Sequence, residues 1–425
     1  MNSGLQSKAI NLRLVVVCLA AGSVGLSMAL ISISKLLLIV CALLVILFFG
    51  RDSGAVKRQP FPGLISPAVI LAVLFTFALS LLWTTAPADD AFGSVGKYGK
   101  LLLIALMILL IRSRREAIVA LSAFAATQTF LLASSWLLLA GLPVPWATSN
   151  MASTEYAVFS SYLDQGIITA AFAGICWHLR TLIRGRLGQG LAIFVAAAAI
   201  ANVLFVLSGR SGHAVAIVLL SLAIMWQLPG RYRALVLLLP FSLVTVLFFS
   251  SAKVSARLSS MKAEVQSYSS QGQPESSSGT RLELWLASVE MIKRHPVAGS
   301  GVGSWRTEYN VVKRESNPAY QNVGGHFNPH QEYLLWAVQL GGSGVLLFLA
   351  LMLSIWRDSW RMPVPVARAV QSTLAAFAVA CLFNSSLYDA LIGDFFCVSL
   401  GLLLALGARD VNPPMPGAAQ TGESA

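Results

Sequence analysis

Three polar residues stand out in a chain that is otherwise almost continuously apolar. Arg210 sits in Ser208-Gly209-Arg210-Ser211-Gly212, a short hairpin between two apolar runs. Arg281 lies in Thr280-Arg281-Leu282-Glu283, and His330 in Asn328-Pro329-His330-Gln331, where another apolar run begins. A guanidinium grips phosphate with a bidentate fork and keeps its charge, and an imidazole can take a proton from an alcohol. Two arginines and a neutral histidine meeting in one place would suit displacement of a pyrophosphate leaving group by a hydroxyl. Fixed cations would stabilise the charge on the departing phosphate.

Each residue also has a plainer reading. Thr280 and Glu283 fit a capping box, which puts Arg281 in a first helical turn, either as a solvated surface arginine or, with free amides beside it, facing an anion. Arg210, at the edge of an apolar layer, is either functional or snorkels to lipid headgroups. Asn328 suits an N-cap and Pro329 the first helical position. His330 would then lie in the first turn, where the positive helix end favours neutral imidazole; a structural histidine is the alternative. His326 and His330 are four residues apart, but Pro329 puts the helix start between them and no acidic third ligand is close in sequence. With no Asp-x-Asp pair in the outer segments, a metal-free chemistry is expected, and no cofactor. Gly299, Gly301 and Gly303 read as turn chemistry rather than a phosphate loop, since no strand precedes them. Asn384 and Asp389 either support the site or cap a turn. Asp164 and Asp394 read as helix-end or interhelical polar groups.

The elements that must hold these residues are membrane helices. Of 425 residues, 56% are apolar and only 11% charged, against about 25% charged in soluble chains. Such a chain cannot cover its outside with polar groups, so most of that outside must face lipid. The net charge of +12 is therefore read by position rather than as a nucleic-acid footprint. The five cysteines, Cys18, Cys41, Cys176, Cys381 and Cys397, have no CxxC spacing and suggest neither a disulfide framework nor a zinc site. Apolar runs long enough to span a bilayer predict an all-α polytopic membrane protein of about twelve transmembrane helices, over 13–30, 34–50, 64–84, 97–111, 117–140, 164–180, 189–207, 213–228, 234–251, 331–356, 366–386 and 390–408. The first reads as an uncleaved signal anchor.

Every even-numbered helix ends in basic residues, among them Arg51, Lys57, Arg58, Arg112, Arg114, Arg115, Arg180, Arg184, Arg186, Arg231, Arg233 and Arg357. By the positive-inside rule both termini are cytoplasmic. The organisation expected is helices 1–9 over 1–250, one long non-cytoplasmic loop over 251–329, helices 10–12 over 330–408 and a cytoplasmic tail over 409–425. The loop opens with Lys253, Arg257 and Lys262, continues as a Ser/Gln/Gly tract over 266–279, and then predicts an amphipathic helix with Leu282, Trp285, Leu286, Val289 and Ile292 on its apolar side. A late outer loop and the lack of an internal repeat count against two-halved transporter architectures.

At this point the residues resemble a family. His330-Gln331, nine residues, then Gly341 and Gly344 resemble the His-(Asn/Ser/Gln)-x9-Gly-x-x-Gly pattern of bacterial O-antigen ligases, within the O-antigen ligase/polymerase superfamily. Arg281, Trp285, His295-Pro296, Gly299-Ser300-Gly301 and Trp305 look like the superfamily's outer loop, and Arg210 matches its hairpin arginine. The resemblance covers about residues 190–345 in motif and the whole chain in topology. It implies a GT-C-like membrane fold in the bacterial inner membrane and a periplasmic active site. There a glycan would pass from undecaprenyl pyrophosphate to a sugar of the lipid A–core oligosaccharide, by metal-independent, inverting transfer. It implies that His330 is the general base, that Arg210 and Arg281 bind the pyrophosphate, and that Gln331 orients the histidine or the acceptor; His326 has no counterpart. An O-antigen polymerase, or an oligosaccharyltransferase acting on pilin-like proteins, would use the same donor. The absence of a large C-terminal domain favours the ligase. A transporter of polyprenyl-linked sugars would need ionisable residues deep in several spans.

Overall fold

The computed structural model describes residues 3–49, 63–250, 277–318, 320–321 and 328–411, with residue 256 alone between. Among these residues the regular structure is entirely helical, and each of the twelve expected spans falls on helix. The helices are α1 (Ser3–Ser23), α2 (Met28–Phe49), α3 (Ser66–Leu79), α4 (Ala88–Tyr98), α5 (Leu102–Leu110), α6 (Arg114–Leu139), the single turn α7 (Ala152–Glu155), α8 (Tyr162–Leu179), α9 (Arg186–Ala201), α10 (Arg210–Met225) and α11 (Leu239–Ser250). They continue with α12 (Ser277–Arg294), α13 (Trp305–Ser316), α14 (Glu332–Ser359), α15 (Val364–Phe383) and α16 (Ala390–Val411). Seven of the described helices are long and apolar enough to cross a membrane, and Leu12–Ser23, Ser66–Leu82 and Arg210–Met225 are shorter apolar helices. Hydrocarbon cannot satisfy backbone amides, so segments of this composition are helical where they meet lipid, and the chain is a multi-pass membrane protein.

Local chemistry sets the helix ends. Ser113 accepts the Glu116 N–H at 3.2 Å and starts α6; Ser161 accepts the Asp164 N–H at 3.1 Å and starts α8. Both are side-chain N-caps. The fourth span starts earlier than expected: α4 begins at Ala88, after Pro87, with Asp89 and Asp90 in its first turn. Acidic residues suit the positive end of a helix, so polar residues that looked like loop are helix. A 3-10 turn, Gly99–Leu101, joins α4 to α5.

α16 is the most enclosed of the long spans, whereas α2 presents most of its surface outward. Small residues bring α8 and α10 together: a Cβ on Gly212 would stand 3.0 Å from the Gly166 Cα, the close backbone approach by which membrane helices associate without a hydrophobic driving force. Within the layer, Lys35 of α2 pairs with Asp394 of α16 at 2.8 Å. Asp394 is therefore an interhelical polar group. At one end of the bundle Arg13 holds Glu116 at 2.9 and 2.6 Å, and buried Asp358 accepts the N–H groups of Ile65 and Ser66.

The opposite end is capped by α12 and α13. Here the expected amphipathic face is corrected. Leu284, Ala287, Ser288 and Met291 are buried, whereas Leu286 and Val289 are exposed. Ser288 faces inward because its hydroxyl accepts the Trp305 indole N–H at 3.0 Å, so a small polar residue lies where a large apolar one was expected. The helix also begins at Ser277, so Thr280 lies inside it rather than capping it, and Arg281 is in its second turn. Lys253, Arg257, Lys262, most of the Ser/Gln/Gly tract and the tail beyond 411 lie outside the described residues.

Candidate functional site

The site forms where the α8, α10, α14 and α16 N-termini meet α12 and the turn between α15 and α16. Arg210 is the first residue of α10. The hairpin before it lies against the start of α8, since a Cβ on Gly209 would be 3.3 Å from the Tyr162 carbonyl oxygen. Arg281 and Arg210 lie close enough for their charges to repel, and Tyr162 is within electrostatic reach of Arg281. Burial first, and Arg210 second, pull Arg281 below its ordinary value; a guanidinium so placed remains a cation at neutral pH. Two like charges held together are a ready seat for a polyanion.

The segment bearing His330 is tied to the helix of Arg281: Trp285, one turn beyond Arg281, donates its indole N–H to the Pro329 carbonyl at 3.0 Å. The start of α14 differs from the expectation. Asn328 Oδ1 accepts the His330 N–H at 2.8 Å, closing an Asx turn, and His330 takes φ 50°. A left-handed residue cannot sit in a right-handed helix, so α14 begins at Glu332. Its N-cap is Gln331, whose side chain accepts the Leu334 N–H at 2.9 Å. His330 is thus a half-buried residue just outside the helix rather than in its first turn. A non-glycine residue in that conformation costs about 1 to 3 kcal/mol and is characteristic of functional sites.

The glycine turn is structural. Gly299, Gly301 and Gly303 all have positive φ, and their region's amides serve the fold: Ser300 N–H donates to Val338 O at 2.9 Å, Gly301 N–H to Gln339 O at 2.8 Å and Gly303 N–H to Gln339 Oε1 at 2.9 Å. Gly341 breaks the helical geometry of α14 with φ 65° and ψ −154°. Gly342 N–H then reaches the Pro296 carbonyl at 2.7 Å. The first spaced glycine after His330, Gly341, therefore lets α14 dock against the turn that follows α12.

On the other side lies a polar cluster that the sequence reading only partly anticipated. Asn384 ends α15 and hydrogen-bonds the Asp389 carboxylate, so it caps this turn. Asp389 and Asp164 are near enough to repel. Burial pushes Asp389 up to about 6, opposed by Lys100, Lys97 and the Asn384 hydrogen bond. The turn itself is gripped by two buried charges not singled out from sequence. Glu332 accepts the N–H groups of Leu387 and Tyr388 at 2.9 and 3.2 Å, together with the Trp336 indole N–H at 2.9 Å. Lys100 donates to the Asp389 carbonyl at 2.7 Å, and Lys97 stands 3.8 Å over the Tyr388 ring. Their signal was available: ionisable residues in apolar spans default to function. His326 lies outside the described residues. Among the described residues, no group of three His, Cys, Asp or Glu side chains is placed to hold a metal ion.

A comparison with curated proteins finds no match to the chain. Against protein-family models, residues 194–349 match the family described as O-antigen ligase, a stretch that holds Arg210, Arg281, His330, Gln331 and the two spaced glycines. That match covers less than half of the chain, so residues 194–349 are similar to an O-antigen ligase domain of the ligase/polymerase superfamily.

Proposed function

We propose that the protein transfers a glycan from undecaprenyl pyrophosphate to a sugar hydroxyl of the lipid A–core oligosaccharide, on the periplasmic face of the bacterial inner membrane. The observation that carries this reading is the adjacency of Arg210 and Arg281, with the His330 segment tied to the Arg281 helix through Trp285 and Pro329. The acceptor hydroxyl oxygen attacks the anomeric carbon while the carbon–oxygen bond to pyrophosphate breaks. The hydroxyl proton passes to the His330 imidazole as general base, and the anomeric configuration inverts. Undecaprenyl pyrophosphate leaves with its charge held by the two guanidinium groups, so no metal is assigned a role. Asp389 and Asn384, on the turn held by Glu332 and Lys100, line the acceptor side, and Gln331 fixes the start of α14. The basic ends of the even-numbered spans support cytoplasmic termini.

The test is reconstitution of purified full-length protein in liposomes with an undecaprenyl-pyrophosphate glycan and a rough lipopolysaccharide acceptor, with and without EDTA. Glycan on the lipid A–core, at the same rate in EDTA, is the expected product. Lengthening of the donor-linked glycan instead would make the enzyme an O-antigen polymerase, and transfer to neither would end the reading.

A further inference from the structure

The ends of α8, α10 and α15 that lie away from the site carry a second convergence of cations. α8 closes on Trp177, His178 and Leu179, and Arg180 follows it. The Arg180 guanidinium stands 3.7 Å over the Trp177 ring and donates to the Trp177 carbonyl. Arg368, near the start of α15, stands 5.7 Å from the centre of the Trp226 ring, and Trp226 is the residue that closes α10. Trp226 in turn meets His178 edge-on at 4.9 Å, and His178 shares a hydrogen bond with Ser372 of α15 at 2.9 Å. Arg180 and Arg368 are therefore held by one aromatic platform built from three helices, each charge within electrostatic reach of the other.

The sequence around them supplies no counter-charge. Between Asp164 and Glu264 the chain has no aspartate or glutamate, whereas Arg180, Arg184, Arg186, Arg231 and Arg233 all follow helices that end here. Ahead of Arg368 the nearest acid in sequence is Asp358, and its buried carboxylate accepts the N–H groups of Ile65 and Ser66. Membrane orientation asks only that arginines lie on one side, and exposed ones such as Arg184 and Arg186 meet that demand in water. Arg180 and Arg368 are instead half-buried and set against tryptophan faces. Stacking of that kind leaves the N–H edge of a guanidinium for an oxyanion. Beside the platform the surface is apolar and outward-facing: Ile183, Leu187 and Ile224 are 40%, 89% and 37% exposed. A phosphate followed at once by hydrocarbon matches that succession of surfaces.

We propose that Arg180 and Arg368 bind the phosphodiester of an anionic phospholipid, phosphatidylglycerol, from the leaflet at this end of the bundle. Basic pockets between membrane helices hold such head groups. A zwitterionic lipid would bring an ammonium group against two guanidinium groups, and one close arginine pair suits one phosphate. The bound lipid ties α8 to α15, helices whose opposite ends carry Asp164 and Asn384. This site is independent of the donor reading above.

The experiment titrates purified full-length protein in a non-ionic detergent with dioleoyl phosphatidylglycerol and with dioleoyl phosphatidylcholine, and counts bound lipid by native mass spectrometry. The expected result is at least tenfold tighter binding of phosphatidylglycerol. Arg180→Gln combined with Arg368→Gln should erase that preference. Arg184→Gln combined with Arg186→Gln removes as much charge from exposed positions and should change it less than twofold. No preference in the wild type, or an equal loss in the two double variants, overturns the site. Because loss of charge can disturb membrane insertion, a second measurement uses wild-type protein alone. A phosphatidylglycerol with a photoreactive diazirine near its glycerol is crosslinked and the labelled peptides are mapped. Labelling of residues 177–187 or 226–233 that unlabelled phosphatidylglycerol competes supports the proposal. Labelling only elsewhere, or competed equally by phosphatidylcholine, refutes it.

Discussion

Trp285 donates its indole N–H to the carbonyl of Pro329 across 3.0 Å, and this bond fastens the helix of Arg281 to the residue before His330. The two are 44 positions apart in the chain, so the tie is what fixes the phosphate-binding and proton-accepting groups relative to each other. Trp285→Phe keeps the ring and removes the donor. A lost hydrogen bond of about 1 kcal/mol, if felt in the transition state, corresponds to roughly a fivefold fall in kcat/KM. Turnover by the reconstituted variant checks this, and Trp285→Phe with wild-type kinetics would show that the tie positions nothing.

Removing either guanidinium leaves charge on the leaving group unstabilised. Arg210→Ala and Arg281→Ala should each lower kcat about a hundredfold or more, the size seen when one transition-state donor is lost. Lysine at either position keeps the charge but not the fork and should recover only part of that loss. Because the two charges act on one group, the double alanine variant should be little worse than the poorer single. His330→Ala should abolish transfer while donor binding persists. The checks are glycan transfer and donor-binding assays on variants whose thermal midpoints match wild type; a folded Arg281→Ala protein with normal transfer would remove it from the pyrophosphate site.

Asp389 supplies a pH signature. Burial raises its carboxyl to about 6, whereas an unfolded carboxyl titrates near 3.9. Between those values the folded protein holds a proton that the unfolded chain has released. Stability conferred by the neutral carboxyl is therefore present at low pH and declines as pH rises through the window, by about 3 kcal/mol at roughly 1.36 kcal/mol per pH unit. Asp389→Asn removes the ionisation, so the variant should gain thermal stability relative to wild type from pH 4 to 6, with a constant difference above. Parallel melting midpoints for the two proteins across that range would contradict the burial account.

The helical layout was legible because lipid demands long apolar runs, and their ends are marked by charge. Arg210 and Arg281 were legible for a related reason, as cations at the edge of such runs. Lys100 and Glu332 carried the same kind of signal, each being one ionisable residue in an apolar span, but what they hold was not legible. Their partners are 289 and 55 positions away, a pairing that only the fold creates. The start of α14 was misread because Asn328 bonds the very next non-proline amide, a local competition between Asx turn and helix cap that the same four residues permit either way. The buried face of α12 was misread because Ala287 and Ser288 lie between Leu284 and Met291 on it. A search for large apolar side chains passes over those two small residues and so sets the stripe on the wrong side.

Glu332 is fully buried, and three N–H groups converge on its carboxylate. Glu332→Ala would strand the amides of Leu387 and Tyr388 and the Trp336 indole. A buried donor without an acceptor costs about 1 to 3 kcal/mol, so the variant should lose at least about 3 kcal/mol. Glu332→Gln retains one acceptor oxygen and should fall between. Thermal unfolding in detergent ranks the three proteins. Indistinguishable midpoints for the alanine variant and wild type would mean that the Asn384–Asp389 turn does not depend on this clamp.

The first spaced glycine after His330 gives a sharper test, because its neighbour serves as a control. Gly341 has φ 65° and ψ −154°, a region that side chains other than hydrogen essentially do not enter. A Cβ there would also stand 2.4 Å from the Val297 carbonyl carbon, against backbone that cannot swing aside. At Gly342 the nearest atom would be the Pro296 oxygen at 3.3 Å, with no unusual φ. Strain and overlap together predict that Gly341→Ala loses about 3 kcal/mol or more, and that Gly342→Ala loses under about 1 kcal/mol. The kink that Gly341 allows lets the Gly342 amide reach Pro296, at the end of the helix that carries Arg281. Gly341→Ala should therefore lower glycan transfer even in the fraction that folds, whereas Gly342→Ala should not. Equal melting midpoints for the two variants would show that the glycine serves something other than this backbone contact.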